Sequence, residues 1–209
     1  MVMVLYIVGI GPGSSDYITP AAAVAVKNSD TVFGSKRALE LFPDVNEAIV
    51  LGAGDMNEKL EMAAGLAISR KVSVLSTGDP GFSGVLKPIK RIISEKKLDV
   101  EVQVIPGVSS VQLCAARLLI PWDDADIVTF HGRDEEDMVD IINNGRPTII
   151  LPSRTPSETA RFLIESGVNP ERCVAVCERL SYPDERVVEV KLRELLESEF
   201  SYMSIIVLI

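Results

Sequence analysis

The chain has 209 residues, of which 47% are apolar, so it is long enough to bury a core in one large or two small domains. Its 21 basic and 30 acidic residues give a formal net charge of −9, which argues against nucleic acid and anionic membranes as partners. The apolar run over residues 2–10 is too short for a membrane helix and lacks the flanks of a signal peptide, so we expect a cytoplasmic protein.

The first part of the chain predicts alternating strands and helices, a pattern that favours a parallel sheet with right-handed crossovers. An apolar strand over residues 3–10 precedes a helix that Thr19 caps and Pro20 opens. Hydrophobic periodicity predicts further strands at 31–34, 72–76, 100–105 and 125–130, and further helices at 35–42, 58–70, 84–96 and 109–119.

The pattern breaks at residues 119–124, "LIPWDD", which we interpret as a linker between two domains, 1–120 and 121–209. Helices are predicted beyond it at 135–144 and 155–166, and a capping box of Thr155 and Glu158 opens the second of them. The later strands follow one another with little helix, which favours a mixed sheet. They are predicted at 147–152, 173–180, 186–192 and 204–209. The expected fold class is therefore α/β, with two α/β domains, the first built on a mainly parallel sheet and the second on a mixed one.

Three cysteines, Cys114, Cys173 and Cys177, are too few and too irregularly spaced for a disulfide framework. Cys173 and Cys177 lie four apart on a predicted strand, and two thiols without a histidine nearby make a poor zinc site. We interpret them as buried core residues and expect no metal.

The loop after the first strand, "GIGPGSS", begins like a dinucleotide-binding loop but departs from it. Gly9 and Gly11 fit that fingerprint, but its third glycine position is occupied by Ser14. Pro12 removes a backbone donor, and the next helix cannot easily begin before Pro20. The loop therefore favours close approach of something other than a pyrophosphate.

Two further loops share this character, "STGDPGF" after the strand at 72–76 and "IPGVSS" after the strand at 100–105. Ligands of open α/β sheets bind at the carboxyl ends of the strands, where these loops lie. Asp79 could accept hydrogen bonds from a ligand amine or hydroxyl, and Ser109 and Ser110 could supply hydroxyls and backbone donors. A simple turn is the alternative for Gly-Asp-Pro-Gly, but three such loops on one sheet edge favour a site.

The segments "VGIGPGSSDYIT", "STGDPGFSGV" and "VIPGVSSVQ", followed by a strand that ends in "LPSR", together resemble the tetrapyrrole methylase family over essentially the whole chain. These are the S-adenosylmethionine-dependent enzymes of corrin, sirohaem and diphthamide synthesis. The resemblance implies two α/β domains with a deep cleft between them, usually in a homodimer. It implies that S-adenosylmethionine lies folded in the cleft and leaves as S-adenosylhomocysteine.

Two other segments, "VFGSKRALELFP" and "TFHGRDEEDM", resemble the branch of the family that methylates C5 of cobalt-precorrin-7 in anaerobic cobalamin synthesis. In the aerobic route a similar domain is fused to a C15-methylating decarboxylase. The chain ends at Ile209, so we expect the fused domain to be absent. Functional pairing with a separate C15-methylating decarboxylase is left open.

The resemblance also implies site residues, because positions of this chain match the family's motifs. The implied cofactor contacts are Pro12, Thr77, Gly78, Asp79, Phe82, Ser109, Ser110, Leu151 and Leu180. The implied substrate is a cobalt-corrinoid with several carboxylates, and arginine suits a planar carboxylate because it can donate two parallel hydrogen bonds. The expected substrate contacts are Arg37, Arg133 and Arg154, with ordinary solvated charge as the alternative.

Transfer of a methyl group from a sulfonium requires positioning more than a strong acid or base. His131 and Arg133 are the expected catalytic residues. His131 could assist deprotonation after transfer, or it could only hydrogen-bond at the domain junction.

Three other functions stay open at this point. The chain could be another member of the family, acting at a different ring position or on a protein side chain in diphthamide synthesis. It could be a non-catalytic relative that binds a ligand, although that reading predicts a lost Asp79 or a filled glycine loop. A nicotinamide oxidoreductase is disfavoured by Ser14 and the late start of the helix.

Overall fold

The computed structural model of the chain describes residues 4–130 and 138–209. By packing, these residues form two compact units, Met1–Ser109 and Ser110–Ile209. The predicted domain limits, 1–120 and 121–209, stay a prediction, and the helix Ser110–Arg117 packs with the second unit.

The first unit contains a five-stranded parallel sheet, as the alternation of strands and helices predicted. Its spatial order is β3-β2-β4-β1-β5. The strands are β1 Val4–Gly9, β2 Thr31–Gly34, β3 Ala48–Val50, β4 Val72–Ser76 and β5 Glu101–Ile105. Strand β3 was not predicted, because it has only 3 residues and two of them are exposed at the sheet edge, so no run of apolar residues marks it.

Helices cover both faces of this sheet, which explains why its central strands are apolar at consecutive positions. The helices are α1 Pro20–Lys27, α2 Lys36–Glu40, α3 Met56–Leu66 and α4 Leu86–Lys96. Leu5 and Ile7 of β1 pack in the core cluster that includes α3 and α4 residues, whereas Val8 packs on the other face with residues of α1. The predicted cap of α1 is confirmed, since Thr19 Oγ1 accepts a hydrogen bond from Ala22 N at 3.1 Å.

The second unit contains a five-stranded mixed sheet of order β6-β7-β10-β8-β9, which confirms the predicted sheet type. Only β6 and β7 pair in parallel, and the remaining pairs are antiparallel. Its strands are β6 Asp126–Thr129, β7 Thr148–Leu151, β8 Cys173–Glu178, β9 Arg186–Lys191 and β10 Ser204–Leu208. Its helices are α5 Ser110–Arg117, α6 Val139–Ile142 and α7 Pro156–Glu165.

The capping box predicted for α7 is present. Thr155 Oγ1 accepts a hydrogen bond from Glu158 N at 3.3 Å, and Glu158 Oε2 accepts one from Thr155 N at 2.9 Å. The Thr155 hydroxyl also donates to Glu158 Oε2, at 2.6 Å. This hydrogen bond and the one from Thr155 N lower the pKa of the Glu158 carboxyl, because both favour its charged form. Short 3₁₀ helices at Ser15–Tyr17, Trp122–Asp124 and Leu192–Glu197 complete the described elements.

The cysteines only partly follow the expectation from sequence. Cys177 is buried, and so is Cys114 of α5, but Cys173 is exposed, so the prediction that it is a core residue is wrong. Cys173 is the first residue of β8 and pairs with Lys191 at the end of β9, where the sheet meets solvent. In residues 4–130 and 138–209, no three His, Cys, Asp or Glu side chains are grouped so that they could hold a metal ion.

No helix among the described residues is long and apolar enough to span a membrane.

Candidate functional site

The three loops that the sequence singled out follow three neighbouring strands of the first sheet, β4, β1 and β5. The strand ends are level, because Gly9 of β1 pairs with Ser76 of β4 and Val8 pairs with Ile105 of β5. Residues 10–15, 77–84 and 106–109 therefore meet at one edge of the sheet, which we call the three-loop edge.

Backbone hydrogen bonds connect the first two loops of this edge. Ile10 N donates to Ser76 O at 3.0 Å, and Gly78 N donates to Gly11 O at 2.8 Å. Gly11 has a φ of +81° and Gly78 a φ of +71°, a region that residues with a Cβ rarely adopt. The first two loops therefore continue the pairing of β1 and β4 beyond the strands.

Asp79 connects the second loop to the third. Its Oδ1 accepts a hydrogen bond from Gly81 N at 2.8 Å, and its Oδ2 accepts one from Gly107 N at 3.1 Å. The side chain is half-buried. Each carboxylate oxygen retains capacity for another donor, because an ionised carboxylate has about four acceptor positions. Asp79 therefore organises the edge and can still accept a hydrogen bond from a ligand.

The glycines of the edge allow its loops to pack backbone against backbone. A Cβ on Gly9 would lie 2.5 Å from Gly107 N, and a Cβ on Gly107 would lie 2.4 Å from Gly78 O. Neither distance is compatible with a side chain, so the loops could not meet if either residue were larger. These glycines are therefore required for the loops to pack against one another, whether or not a ligand also approaches them.

The departure from a dinucleotide-binding loop is confirmed by the helix positions. A 3₁₀ helix, Ser15–Tyr17, follows the first loop, and α1 begins only at Pro20. The N-terminus of α1 is therefore displaced from the glycines and cannot present its N–H groups as a Rossmann loop does.

The predicted cofactor residues of the first unit differ in how far they face solvent. Thr77 is exposed, whereas Pro12 and Gly78 are buried. Phe82 is half-buried, and Ser109 is 8% exposed. Burial of Pro12 favours a role in shaping its loop, and Thr77 is the predicted residue whose side chain is most open to a ligand.

A pocket of about 360 Å³ lies beside the second loop and includes Thr77 in its wall. Its other lining residues come from the carboxyl ends of β2 and β4, from the loop after β3, from the start of α3, from the second loop and from the start of α4. They are Ser35, Leu51, Met56, Leu75, Ser76, Ser83, Gly84, Val85 and Pro88. The pocket thus combines apolar walls with several hydroxyl groups.

Sequence reasoning missed Ser35 and Ser83 of this pocket. Ser35 follows β2 and caps α2, where its Oγ accepts a hydrogen bond from Ala38 N at 3.2 Å. Its position at the end of a predicted strand was the available signal. Ser83 has a φ of +53°, a strained conformation for a residue with a Cβ. No pattern in the sequence indicates this conformation or the position of Ser83 in the pocket.

In the second unit, Leu151 and Leu180 both lie at carboxyl ends of strands of the mixed sheet. Leu151 ends β7, and Leu180 follows β8, which runs parallel to β7 because both pair antiparallel with β10. Leu180 is 6% exposed, and it lies between Arg179 and Ser181, whose φ values are +48° and +71°. Two strained residues on either side of one position are retained only where neighbouring structure holds the segment in place.

Glu185 holds this strained loop. Its Oε2 accepts a hydrogen bond from Ser181 N at 2.7 Å, and its Oε1 accepts one from Arg117 Nε at the end of α5. The Arg117 guanidinium and the Ser181 amide lower the pKa of the Glu185 carboxyl, because both favour its charged form. Sequence reasoning missed this contact, since Arg117 is 68 residues from Glu185 in the chain.

The basic residues expected at the substrate are only partly described. Arg37 lies exposed on α2, and Arg154 lies exposed after β7, with its guanidinium carbon 5.8 Å from the centre of the Phe162 ring. Arg133 and His131, the expected catalytic residues, lie outside the described residues. Ser110 is half-buried at the start of α5.

The parallel sheet, the mixed sheet and the three-loop edge define an α/β protein of a class distinct from the dinucleotide-binding fold. The chain matches the family model of Tetrapyrrole (Corrin/Porphyrin) Methylases over residues 4–196. The chain therefore belongs to the tetrapyrrole methylases, and the resemblance inferred from its loops is confirmed.

Within this family, the chain is similar to several individual proteins. The chain is 41% identical over 207 residues to a probable cobalt-precorrin-7 C(5)-methyltransferase of Methanocaldococcus jannaschii, covering 97% of this chain and 96% of the relative. It is 31% identical over 185 residues to the cobalt-precorrin-7 C(5)-methyltransferase of Salmonella typhimurium, covering 88% of each. Among solved structures, the precorrin-6Y methylase of Archaeoglobus fulgidus superposes with a TM-score of 0.75 at 28% identity, covering 99% of this chain and 97% of that one.

Proposed function

We propose that this protein transfers a methyl group from S-adenosylmethionine to C5 of cobalt-precorrin-7 in anaerobic cobalamin synthesis. The observation that carries the proposal is the 41% identity to a relative with this name, which extends over almost the full length of both chains. The segments "VFGSKRALELFP" and "TFHGRDEEDM", which resemble the C5-methylating branch, support the same activity.

The residues of the three-loop edge fit the cofactor. S-adenosylmethionine presents an ammonium, ribose hydroxyls and an adenine amine, all of which are hydrogen-bond donors. Asp79 has acceptor capacity left for such donors, and Thr77, two residues before it, is exposed. A carboxylate at this position suits a cationic or hydroxyl-bearing ligand and disfavours a pyrophosphate, in agreement with the displaced helix α1.

When bound, the cofactor supplies a methyl group that is already electrophilic on its sulfonium. The protein then has to hold the two reactants in line and exclude water, and positioning of this kind can supply about 7–11 kcal/mol of a barrier. The hydrogen bonds among the three loops hold Asp79 in place within the edge. Thr77, Asp79 and Ser109 are the residues we propose for orienting the cofactor.

The remaining expected contacts are part of the same proposal. Arg37 and Arg154 would pair with carboxylates of the corrinoid, since both are exposed after carboxyl ends of strands. His131 and Arg133 stay the predicted catalytic residues. Cofactor contacts at Ser110, Leu151 and Leu180 also stay predictions. We further propose a cytoplasmic homodimer that works alongside a separate C15-methylating decarboxylase.

A ligand-binding comparison tests the cofactor part of the proposal. Thermal unfolding is followed with S-adenosylhomocysteine and, separately, with NAD, and binding is quantified by calorimetry. We expect S-adenosylhomocysteine to raise the midpoint and NAD to leave it unchanged, because a ligand stabilises only the state that it binds. Stabilisation by NAD alone would refute the methyltransferase assignment.

A further inference from the structure

Two buried thiols in the second unit lie unusually close together. Cys114 of α5 and Cys177 of β8 are each 0% exposed, and the Cys114 thiol points to Cys177 with 2.8 Å between the two Sγ atoms. A covalent disulfide needs a separation of about 2.05 Å, so less than an ångström of movement would join them. We propose that Cys114 and Cys177 are an oxidation site, at which a peroxide-class oxidant forms a reversible disulfide that joins α5 to the mixed sheet.

The fold brings these two residues together from distant parts of the chain. Cys177 sits near the end of β8, where it pairs with Ile205 of β10, and α5 packs against β10. Neighbouring side chains of Cys114 and Cys177, such as Val111 and Val176, are also buried. The pair is therefore held by a packed apolar core and does not depend on a mobile surface loop.

The chemistry balances with one peroxide molecule. The peroxide oxidises one thiol to a sulfenic acid and releases one water, and the second thiol then attacks that sulfur and releases another water. Two S–H bonds are replaced by one S–S bond, and the two electrons reduce the O–O bond. The hydrogen bond to Cys177 and burial raise the pKa of Cys114, so its thiolate is scarce and we expect oxidation over minutes to hours.

The third cysteine provides a control within the same protein. Cys173 is exposed at the start of β8, and its Sγ accepts a hydrogen bond from Lys191 Nζ at 3.0 Å. An alkylating reagent should therefore label Cys173 in the folded protein and spare the two buried thiols. Oxidation that depended only on exposure would affect Cys173 first.

The bond would constrain two of the three segments that carry predicted cofactor residues in this unit. Helix α5 begins at Ser110, and β8 leads into the strained loop with Leu180. A link across so long a stretch of chain restricts the unfolded state, and we expect the midpoint of thermal unfolding to rise by about 5–10 °C. The bond does not depend on the proposed methyltransferase activity.

The test uses the full chain with Cys173→Ser, so that no exposed thiol competes. The folded protein is treated with hydrogen peroxide, and free thiols are counted after denaturation. We expect both thiols to be lost together, the intact mass to fall by two hydrogens, and a non-reduced peptide map to join Cys114 to Cys177. Dithiothreitol should restore both thiols and the original unfolding midpoint.

Matched variants separate this pair from general oxidation. Cys114→Ala and Cys177→Ala, each with Cys173 intact, should form no intramolecular disulfide and show no rise in the midpoint. If the Cys173→Ser protein instead gains oxygen without losing the two hydrogens, or keeps both thiols free, the proposal is wrong. Because the peptide map is made on a chain with both buried cysteines intact, this result does not depend on whether the alanine variants fold.

Discussion

Replacing Asp79 by alanine removes the side chain that ties the second loop of the three-loop edge to the third. The variant loses two acceptor contacts, at 2.8 Å from Gly81 N and 3.1 Å from Gly107 N. A hydrogen bond to a charged group contributes about 1.5–3 kcal/mol, and partial exposure of Asp79 favours the lower figure. We therefore expect the free energy of unfolding to fall by about 2–3 kcal/mol, which leaves a folded protein.

The larger effect should be on cofactor binding. Asp79→Ala loses both the ordered loop and the acceptor, so we expect the affinity for S-adenosylhomocysteine, measured by calorimetry, to fall by more than about tenfold, equivalent to 1.4 kcal/mol. In Asp79→Asn the side-chain oxygen can still accept a hydrogen bond from Gly81 N, but the NH2 group would face Gly107 N, and two donors cannot pair. The loss of affinity for S-adenosylhomocysteine should therefore lie between zero and the loss in Asp79→Ala.

Asp30→Ala is the matched control. Asp30 Oδ2 also accepts a backbone hydrogen bond, from Lys71 N at 2.8 Å, but it lies just before β2, at the opposite edge of the sheet. Asp30 is exposed, so we expect a loss of about 1 kcal/mol in stability and no change in affinity for S-adenosylhomocysteine. Wild-type affinity in folded Asp79→Ala, or equal losses in both variants, would refute the role given to Asp79.

Three further predictions concern other parts of the chain. Gly107→Ala places a Cβ 2.4 Å from a backbone oxygen, so we expect a loss of about 2–4 kcal/mol by chemical denaturation, whereas Gly65→Ala, in open space on α3, should be neutral or stabilising. The carboxyl of Glu185 has a lowered pKa, so its stabilisation is present above its unfolded pKa near 4.5 and disappears as pH falls further. Arg37→Ala and Arg154→Ala should raise the KM for the corrinoid without changing S-adenosylhomocysteine affinity.

Each of these predictions has a result that would contradict it. Gly107→Ala with wild-type stability would mean that the loops do not pack as closely as described. For Glu185, the stability of the wild type and Glu185→Gln is compared across pH, and a difference that does not shrink as pH falls below the unfolded pKa would exclude the carboxylate as its source. A loss of S-adenosylhomocysteine affinity in either arginine variant would place that residue at the cofactor.

The sequence predicted those features of the site that depend on local pattern. Apolar runs located the central strands, and the loops at their ends could be placed because parallel strands share a carboxyl edge. The cap at Thr19 followed in the same way from residue type and spacing. These features need only neighbouring residues to form.

The features that the sequence did not predict depend on contacts between distant residues. The glycines of the edge were expected to make room for a ligand, but Gly9 and Gly107 are needed because their backbones pack directly against each other. Strand β3 is too short to show a pattern, and the exposure of Cys173 depends on where β9 ends. The carboxylate of Glu185 connects α5 to the loop after β8 by hydrogen bonds from Arg117 and Ser181, and nothing in the local sequence around Glu185 indicates these contacts.

The most direct test of the proposed activity is to follow the methyl carbon. The purified protein is incubated without oxygen with cobalt-precorrin-7 and S-adenosylmethionine labelled with ¹³C in its methyl group, and the product is mapped by NMR. We expect one new labelled methyl group, bonded to C5 of the macrocycle. Label at another ring carbon would contradict the C5 assignment within the family, and no transfer to cobalt-precorrin-7 would contradict the proposed substrate.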